Sequence, residues 1–317
     1  MKNFILVFLF SLSVLNSESL APLKTKETNA SSLVKKLDIN KKNLLSWEKS
    51  CNNEDYFFCL NLEYIYSNGI QTKRNKQKAN YFYKKIYNSD DVDSLMLLTS
   101  LYLIDDKKNI RMKKVQSLIK KSCSIGNMLS CTLLGESFVE NNKYSKKSKH
   151  YFEKACDGGD ATGCYHLGNI LYQGELVKED KKNAINLYEI SCADNIAPAC
   201  TNMAYLLIFG DGMKKNTNKA IQLLRNACST KNPNACYLLG LLYYEGNGVK
   251  KNLHKSIAFL NKACISGHSD ACKDMSFIKN EHQQTNKHLP VYNLYYNACK
   301  NGLSSACKKF DMLSDKN

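Results

Sequence analysis

The sequence predicts an all-α fold, an αα-superhelix of stacked two-helix units with one disulfide per repeat. Three observations carry that prediction. Fourteen cysteines fall in seven C-x7-C pairs. The pairs recur at a near-constant step: Cys156, Cys192, Cys228 and Cys264 stand 36 residues apart, with steps of 33 before and 35 after. Two amphipathic helical patterns fill each period, and no β-type alternation competes with them. A helix pair repeating at this length buries its apolar faces only by stacking on its neighbours, which makes a solenoid.

The elements follow in chain order. Residues 1–21 read as a secretory signal: Lys2 gives a positive start, and Phe4 to Leu15 form an apolar stretch too short to span a membrane. Ser19-Leu20-Ala21 fits the small-x-small cleavage rule, but Pro22 would follow the cut, so cleavage after Ser17 or Ser19 is an alternative. Residues 22–40 form a polar leader. The solenoid occupies 41–317, with about seven to eight units. The chain is expected to be exported, secreted or periplasmic, with no transmembrane span after signal removal.

Within the solenoid the cleanest unit starts at Asn234. Its first helix carries Ala235, Leu238, Leu239, Leu242 and Tyr243, and Gly246 and Gly248 supply the positive φ that closes it. Ile257, Ala258, Leu260 and Ala263 mark the second helix, which ends at Cys264. Gly135, Gly168 and Gly240 each lie four residues after a second cysteine, where a small residue lets two helices approach. Ala204 replaces glycine in one unit, and Glu63, Thr99 and Ser276 replace it nearer the ends. Degenerate terminal units are expected of solenoid caps.

The cysteines read as a disulfide framework: Cys51–Cys59, Cys123–Cys131, Cys156–Cys164, Cys192–Cys200, Cys228–Cys236, Cys264–Cys272 and Cys299–Cys307. Structural zinc sites use closer Cys spacing with further Cys or His ligands. The six His here are out of phase with the cysteines, so no metal or cofactor is expected. Each first cysteine ends a second helix and its partner begins the next, so each bond staples helix to helix across a unit boundary. Antiparallel helices about 8–10 Å apart bring Cα atoms within the roughly 4.4–6.8 Å a disulfide needs. A closed loop this short is worth roughly 2.5 kcal/mol. From Cys51 to Cys123 the step is 72, two periods, and Tyr87 and Leu95 stand where a pair is missing. That unit should be the weak joint.

The formal net charge is +16. It favours non-specific attraction to anionic surfaces. Arg occurs only at Arg74, Arg111 and Arg225, and specific phosphate recognition favours the Arg fork, so no specific nucleic-acid partner is expected.

The stretch Leu239-Gly240-Leu241-Leu242-Tyr243-Tyr244-Glu245-Gly246-Asn247-Gly248-Val249 resembles the Sel1-like repeat, of tetratricopeptide (TPR) type. Lys154-Ala155-Cys156 and Lys262-Ala263-Cys264, each with a partner cysteine eight residues on, resemble the cysteine-rich exported branch, the Helicobacter cysteine-rich proteins. The resemblance covers about residues 45–310. It implies a protein-interaction scaffold, and for the cysteine-rich branch penicillin binding with slow β-lactamase activity, a hydrolase reading. Departures are the missing pair at Tyr87/Leu95, the 33-residue step before Cys156 and the poor helical unit between Cys272 and Cys299.

The residues do not supply a catalytic set for that activity. Serine β-lactamases need Ser-x-x-Lys, a Ser-Asp-Asn-type motif and a Lys-Thr-Gly-type strand. Five Ser-x-x-Lys strings occur, at Ser32, Ser46, Ser117, Ser276 and Ser305, about what chance gives with 28 Ser and 42 Lys in 317 residues. Neither of the other motifs is present. Pairing uses all the thiols, so no nucleophile is named.

The first helices offer a binding reading. With Leu167, Ile170 and Leu171 turned inward, Tyr165, Asn169 and Tyr172 fall on an exposed stripe, and a shift of 36 gives Thr201, Tyr205 and Ile208, then Tyr237, Leu241 and Tyr244. Tyrosines of this kind are enriched at binding hot spots, and packing between units is the alternative for them. His166, in phase with Leu238, is expected to pack rather than catalyse. The sequence thus predicts a monomeric scaffold binding a peptide, protein or peptidoglycan-like ligand on its concave face.

Overall fold

A computed structural model of the chain describes residues 41–104, 108–141 and 143–281. The expected signal and leader segments and the expected pair Cys299–Cys307 lie outside the described residues. Among the described residues there are fourteen helices and no strand, with one isolated bridge between Glu140 and Lys143. No helix among them is long and apolar enough to cross a membrane. The chain divides into two compact units, Met1–Leu134 and Gly135–Asn317.

The first unit holds α1 (Lys41–Asn52), α2 (Tyr56–Asn68), α3 (Lys76–Asn88), α4 (Val92–Ile104), α5 (Lys108–Ser124) and most of α6 (Met128–Glu136). The second holds α7 (Lys146–Asp157), α8 (Ala161–Gln173), α9 (Lys181–Ala193), α10 (Ala197–Phe209), α11 (Thr217–Ser229), α12 (Pro233–Glu245), α13 (Leu253–Ile265) and α14 (Ser269–Glu281). Even-numbered helices are the first of each repeat and odd-numbered ones the second.

Local chemistry sets the helix ends. Gly246 closes α12 at φ 78°, a left-handed conformation that costs glycine nothing, and its N–H returns to the Leu242 carbonyl. The second helices start on polar caps: Asn75, Ser145, Asp180, Asn216 and Asn252 each accept a hydrogen bond from the backbone N–H three residues on.

Packing then joins the pairs. Leu238, Leu239, Leu241 and Leu242 of α12 are fully buried among residues of α8 to α14. A Cβ on Gly168 would stand 2.8 Å from the Tyr188 ring, and one on Gly240 2.7 Å from Leu260, so these glycines set how closely first and second helices approach. In the first unit Glu63 holds the glycine place. It is fully buried, and its Oε1 accepts bonds from Tyr102 (2.6 Å) and Ser67 (2.7 Å).

Six of the seven expected disulfides lie within the described residues, each joining the end of one second helix to the start of the next first helix, with Cα–Cα distances of 4.5–4.9 Å. No cysteine among those residues is free. At the position without a pair, between α3 and α4, Leu95 is fully buried and Tyr87 stacks on Tyr83 with ring centroids 5.9 Å apart. Tyr83 of α3 also stacks on Tyr102 of α4, with centroids 6.4 Å apart, so aromatic packing joins the two helices where the covalent staple is absent.

Candidate interaction surface

The stripe expected to be exposed is mostly not. Tyr172, Thr201, Tyr205, Ile208, Tyr237 and Leu241 are all buried, none more than 6% exposed. The physical reason is that these positions face the neighbouring repeats. The Tyr172 hydroxyl donates to Asp211 Oδ2 at 2.7 Å, and the Tyr237 hydroxyl donates to Asp274 Oδ2 at 2.8 Å. Thr201 Oγ1 donates to the Ala197 carbonyl at 2.8 Å, and Asn232 Oδ1 of the next repeat stands 3.5 Å from it. Tyr237 also stacks on His268, and Tyr205 stacks on Phe209. The packing alternative therefore holds for these six.

Tyr165, Asn169 and Tyr244 remain half-buried. Lys251 Nζ lies 5.2 Å from the centre of the Tyr244 ring. Tyr165 leans on Tyr188, with centroids 6.3 Å apart. Asn169 is the centre of a hydrogen-bonded network. Its Nδ2 donates to the Tyr144 hydroxyl at 3.0 Å, while its Oδ1 accepts from the Tyr188 hydroxyl at 2.8 Å and from Asn202 Nδ2 at 3.0 Å. The Tyr144 hydroxyl stands 3.3 Å from His166 Nδ1, and His166 Nε2 stands 3.2 Å from Glu136 Oε1. His166 also stacks on Phe152, with centroids 4.4 Å apart. As expected it packs, although two polar bonds accompany the packing.

The network draws on α6, α8, α9, α10 and the loop before α7. Tyr144, Tyr188 and Asn202 were not singled out from the sequence, because the bond from Asn169 to Asn202 spans 33 residues, not 36. Neighbouring first helices meet one helical turn out of phase, so an in-phase search pairs Asn169 with Tyr205 instead.

Burial pushes the Tyr144 hydroxyl up to about 12, against a weaker lowering by the Asn169 bond. Tyr165 and Tyr188 are raised for the same first reason. All three are therefore neutral at neutral pH. Beside Tyr144 a shallow depression lined by Ile170, Gln173, Glu175 and Leu176 holds about 150 Å³ of empty space, open to solvent. Small-molecule pockets usually hold roughly 300–1,000 Å³.

The Ser-x-x-Lys strings within the described residues make no active pair. The Ser117 and Ser276 hydroxyls donate to the carbonyls four residues back, of Lys113 and Cys272. Ser46 is exposed on α1. Ser32 and Ser305 lie outside the described residues.

The Sel1 repeat family model matches residues 59–91, 129–160, 161–195, 197–229 and 233–268, together more than half of the chain. The unmatched stretch between the first two matches contains α4 and α5, beside the unstapled position. No curated protein matches the sequence. In structure the chain is similar to c5321, a protective antigen of uropathogenic Escherichia coli strains with an SLR fold, at 22% identity and a TM-score of 0.60, covering 86% of this chain. This chain spans 60% of that protein's length. It is also similar to a Sel1 repeat protein from Oxalobacter formigenes, at 20% identity and a TM-score of 0.53, covering 67% of this chain and 88% of that one. Helicobacter pylori cysteine rich protein B aligns at 24% identity over 50% of this chain and 96% of its own, with a TM-score of only 0.24. The first two likenesses bear on the fold alone.

Proposed function

Because the chain belongs to the Sel1 repeat family, we propose that it is an exported binding scaffold whose ligand lies along the first-helix face at Asn169 and Asn202. The ligand class is an extended peptide, a protein segment or a peptidoglycan-like fragment. The observation that carries this reading is the network in which the half-buried Asn169 joins the half-buried Tyr144 and Asn202 and the buried Tyr188. A carboxamide of this kind can exchange its partners for the amides of an extended chain. Solenoid first helices commonly line such surfaces.

The cysteines support the compartment. Six disulfides and no free thiol among the described residues fit an oxidising, extracytoplasmic setting. Export through the signal at 1–21 belongs to this proposal. β-Lactam hydrolysis, implied only by resemblance, finds no support in the Ser-x-x-Lys strings of the described residues.

The test is binding by the oxidised full-length protein to immobilised libraries of extended peptides and peptidoglycan fragments, beside the variant Asn169→Ala/Asn202→Ala. Capture by the wild type that the variant loses, with its melting temperature still showing a folded protein, supports the reading. Equal capture by both overturns the assigned face. Nitrocefin turnover by the same preparation, abolished on reduction, would replace the scaffold reading with an enzymatic one.

A further inference from the structure

One edge of the second unit carries a regular row of unpaired positive charge. The cap of each second helix is preceded, two residues earlier, by an exposed lysine: Lys143 before Ser145, Lys178 before Asp180, Lys214 before Asn216 and Lys250 before Asn252. Three of the four loops close in the same way. The N–H groups of Asp180, Asn216 and Asn252 donate to the carbonyls of Leu171, Leu207 and Tyr243, nine residues back, at 2.8–2.9 Å. At Ser145 the side chain takes this role, its hydroxyl donating to the Phe138 carbonyl at 3.1 Å. Equivalent loops put equivalent lysines at equivalent places, so the four recur along one edge, a layer of helices apart, or about 10 Å. In the first unit, considered by itself, Lys73 stands in the same relation to the cap Asn75.

Stability does not explain these charges. A helix N-terminus carries the positive end of its dipole and favours anions, yet none of the four helices has an acidic residue in its first turn. Lysines stand there instead, Lys146 and Lys181 among them. No ion pair holds Lys143, Lys178, Lys214 or Lys250 among the described residues. Of the carboxylates on this edge, Glu179 and Asp211 are engaged by Lys181 at 3.1 and 2.9 Å, and Asp180 accepts the Asn183 N–H as the helix cap. At the opposite, disulfide-bearing edge the first helices begin with carboxylates such as Asp160 and Asp270. The positive field is thus concentrated on one edge rather than spread over the molecule.

We propose that this lysine row binds a linear acidic polysaccharide, each lysine meeting one acidic group along the polymer. A glycan with one carboxylate or sulfate per disaccharide spaces its charges at a comparable interval. Nucleic acid fits less well: each strand of a duplex carries a phosphate about every 3.4 Å of helix axis, and the planar Arg fork that suits them is absent from the row. A line of single charges also suits a linear polymer better than a flat lipid surface. Lysine acts here as a hydrated point charge, so the interaction weakens as salt rises. The site is separate from the first-helix face around Asn169.

The experiment titrates the oxidised full-length protein with hyaluronan oligosaccharides, which carry one carboxylate per disaccharide, beside uncharged dextran, duplex DNA and anionic phosphatidylglycerol vesicles. Two variants remove the same charge: Lys143→Gln/Lys178→Gln/Lys214→Gln/Lys250→Gln on the row, and Lys154→Gln/Lys231→Gln/Lys262→Gln/Lys273→Gln toward the other edge. Hyaluronan binding should be salt-sensitive and fall about tenfold or more in the first variant, with little change in the second. The variant Asn169→Ala/Asn202→Ala should keep it, which separates this site from the first-helix face. Equal loss in both lysine variants reduces the effect to net charge and overturns the row. Absence of hyaluronan binding, or equal or tighter binding to DNA or vesicles, overturns the choice of ligand.

Discussion

Tyr237 of α12 donates its hydroxyl proton to Asp274 of α14 at 2.8 Å, joining one repeat to the next, and both residues are buried. Tyr172 and Asp211 form the same relation at 2.7 Å. A buried hydrogen bond to a charged group contributes about 1.5–3 kcal/mol. Tyr172→Phe and Tyr237→Phe should each lower stability by roughly that amount in denaturant titrations of the oxidised protein. A double change Tyr205→Ala/Tyr237→Ala should unfold the second unit rather than report on a ligand. Unchanged midpoints would show that these bonds do not join the repeats energetically.

His268 should make stability fall in mild acid. Its Nδ1 accepts the Ala271 N–H at 3.2 Å, and burial holds its pKa below the ordinary value of 6.5. The unfolded chain therefore takes up a proton first. Stability is fully present above about pH 6.5 and declines as pH falls from there through the lower folded-state value. Asn232 holds the same cap position one repeat earlier, accepting from Ala235 at 2.9 Å. His268→Asn should keep the cap and remove this contribution, which melting curves across that range would detect as a flatter profile.

At high pH the buried tyrosines act in the opposite direction. Burial pushes Tyr205 up to about 12, from 10.0 in the unfolded chain. Its contribution is complete below pH 10 and is lost as pH rises through about 12. Ultraviolet titration should therefore show tyrosinate appearing together with loss of helical signal. Ionisation of all tyrosines near pH 10 in a still-folded chain would contradict their burial.

Gly168 lies against Tyr188, whose hydroxyl donates to Asn169. Gly168→Ala places a methyl group 2.8 Å from that ring. The overpacking should cost about 1–3 kcal/mol and disturb ligand capture through Asn169. A variant of unchanged stability would mean that the two helices can part without penalty.

The unstapled position is open to engineering. Tyr87→Cys/Leu95→Cys should oxidise to a seventh disulfide within the described residues, stabilising the oxidised form over its reduced form by up to about 2.5 kcal/mol. Non-reducing peptide mapping and paired denaturation curves would read it. Oxidised and reduced variants of equal stability would show that packing by Leu95 had already removed the weakness.

The disulfide framework and the helix pairs were legible because both are local. Each cysteine pair spans only eight residues across one turn, and the glycines at Gly168 and Gly240 mark a close approach within one repeat. The network around Asn169 was only partly legible. Its bonds reach 19 to 33 residues and join helices out of phase, and no periodic count at 36 residues finds such partners.

By itself the sequence determined the repeat, its covalent staples and the all-helical class, since each depends on spacing within one or two helices. Tertiary structure alone decided which face of the first helices is open. α10 and α12 are apolar nearly all round, and such helices are buried on whichever sides their neighbours lie. Phase along the chain identified Tyr205 and Leu241 as equivalents of Asn169, and Tyr237 as the equivalent of Tyr165, but could not reveal that stacking covers them. The same stacking leaves Asn169 and Asn202 half-buried and repeats Lys143, Lys178, Lys214 and Lys250 along one edge. Exposure is a property of neighbouring layers, and those layers meet only when the superhelix forms.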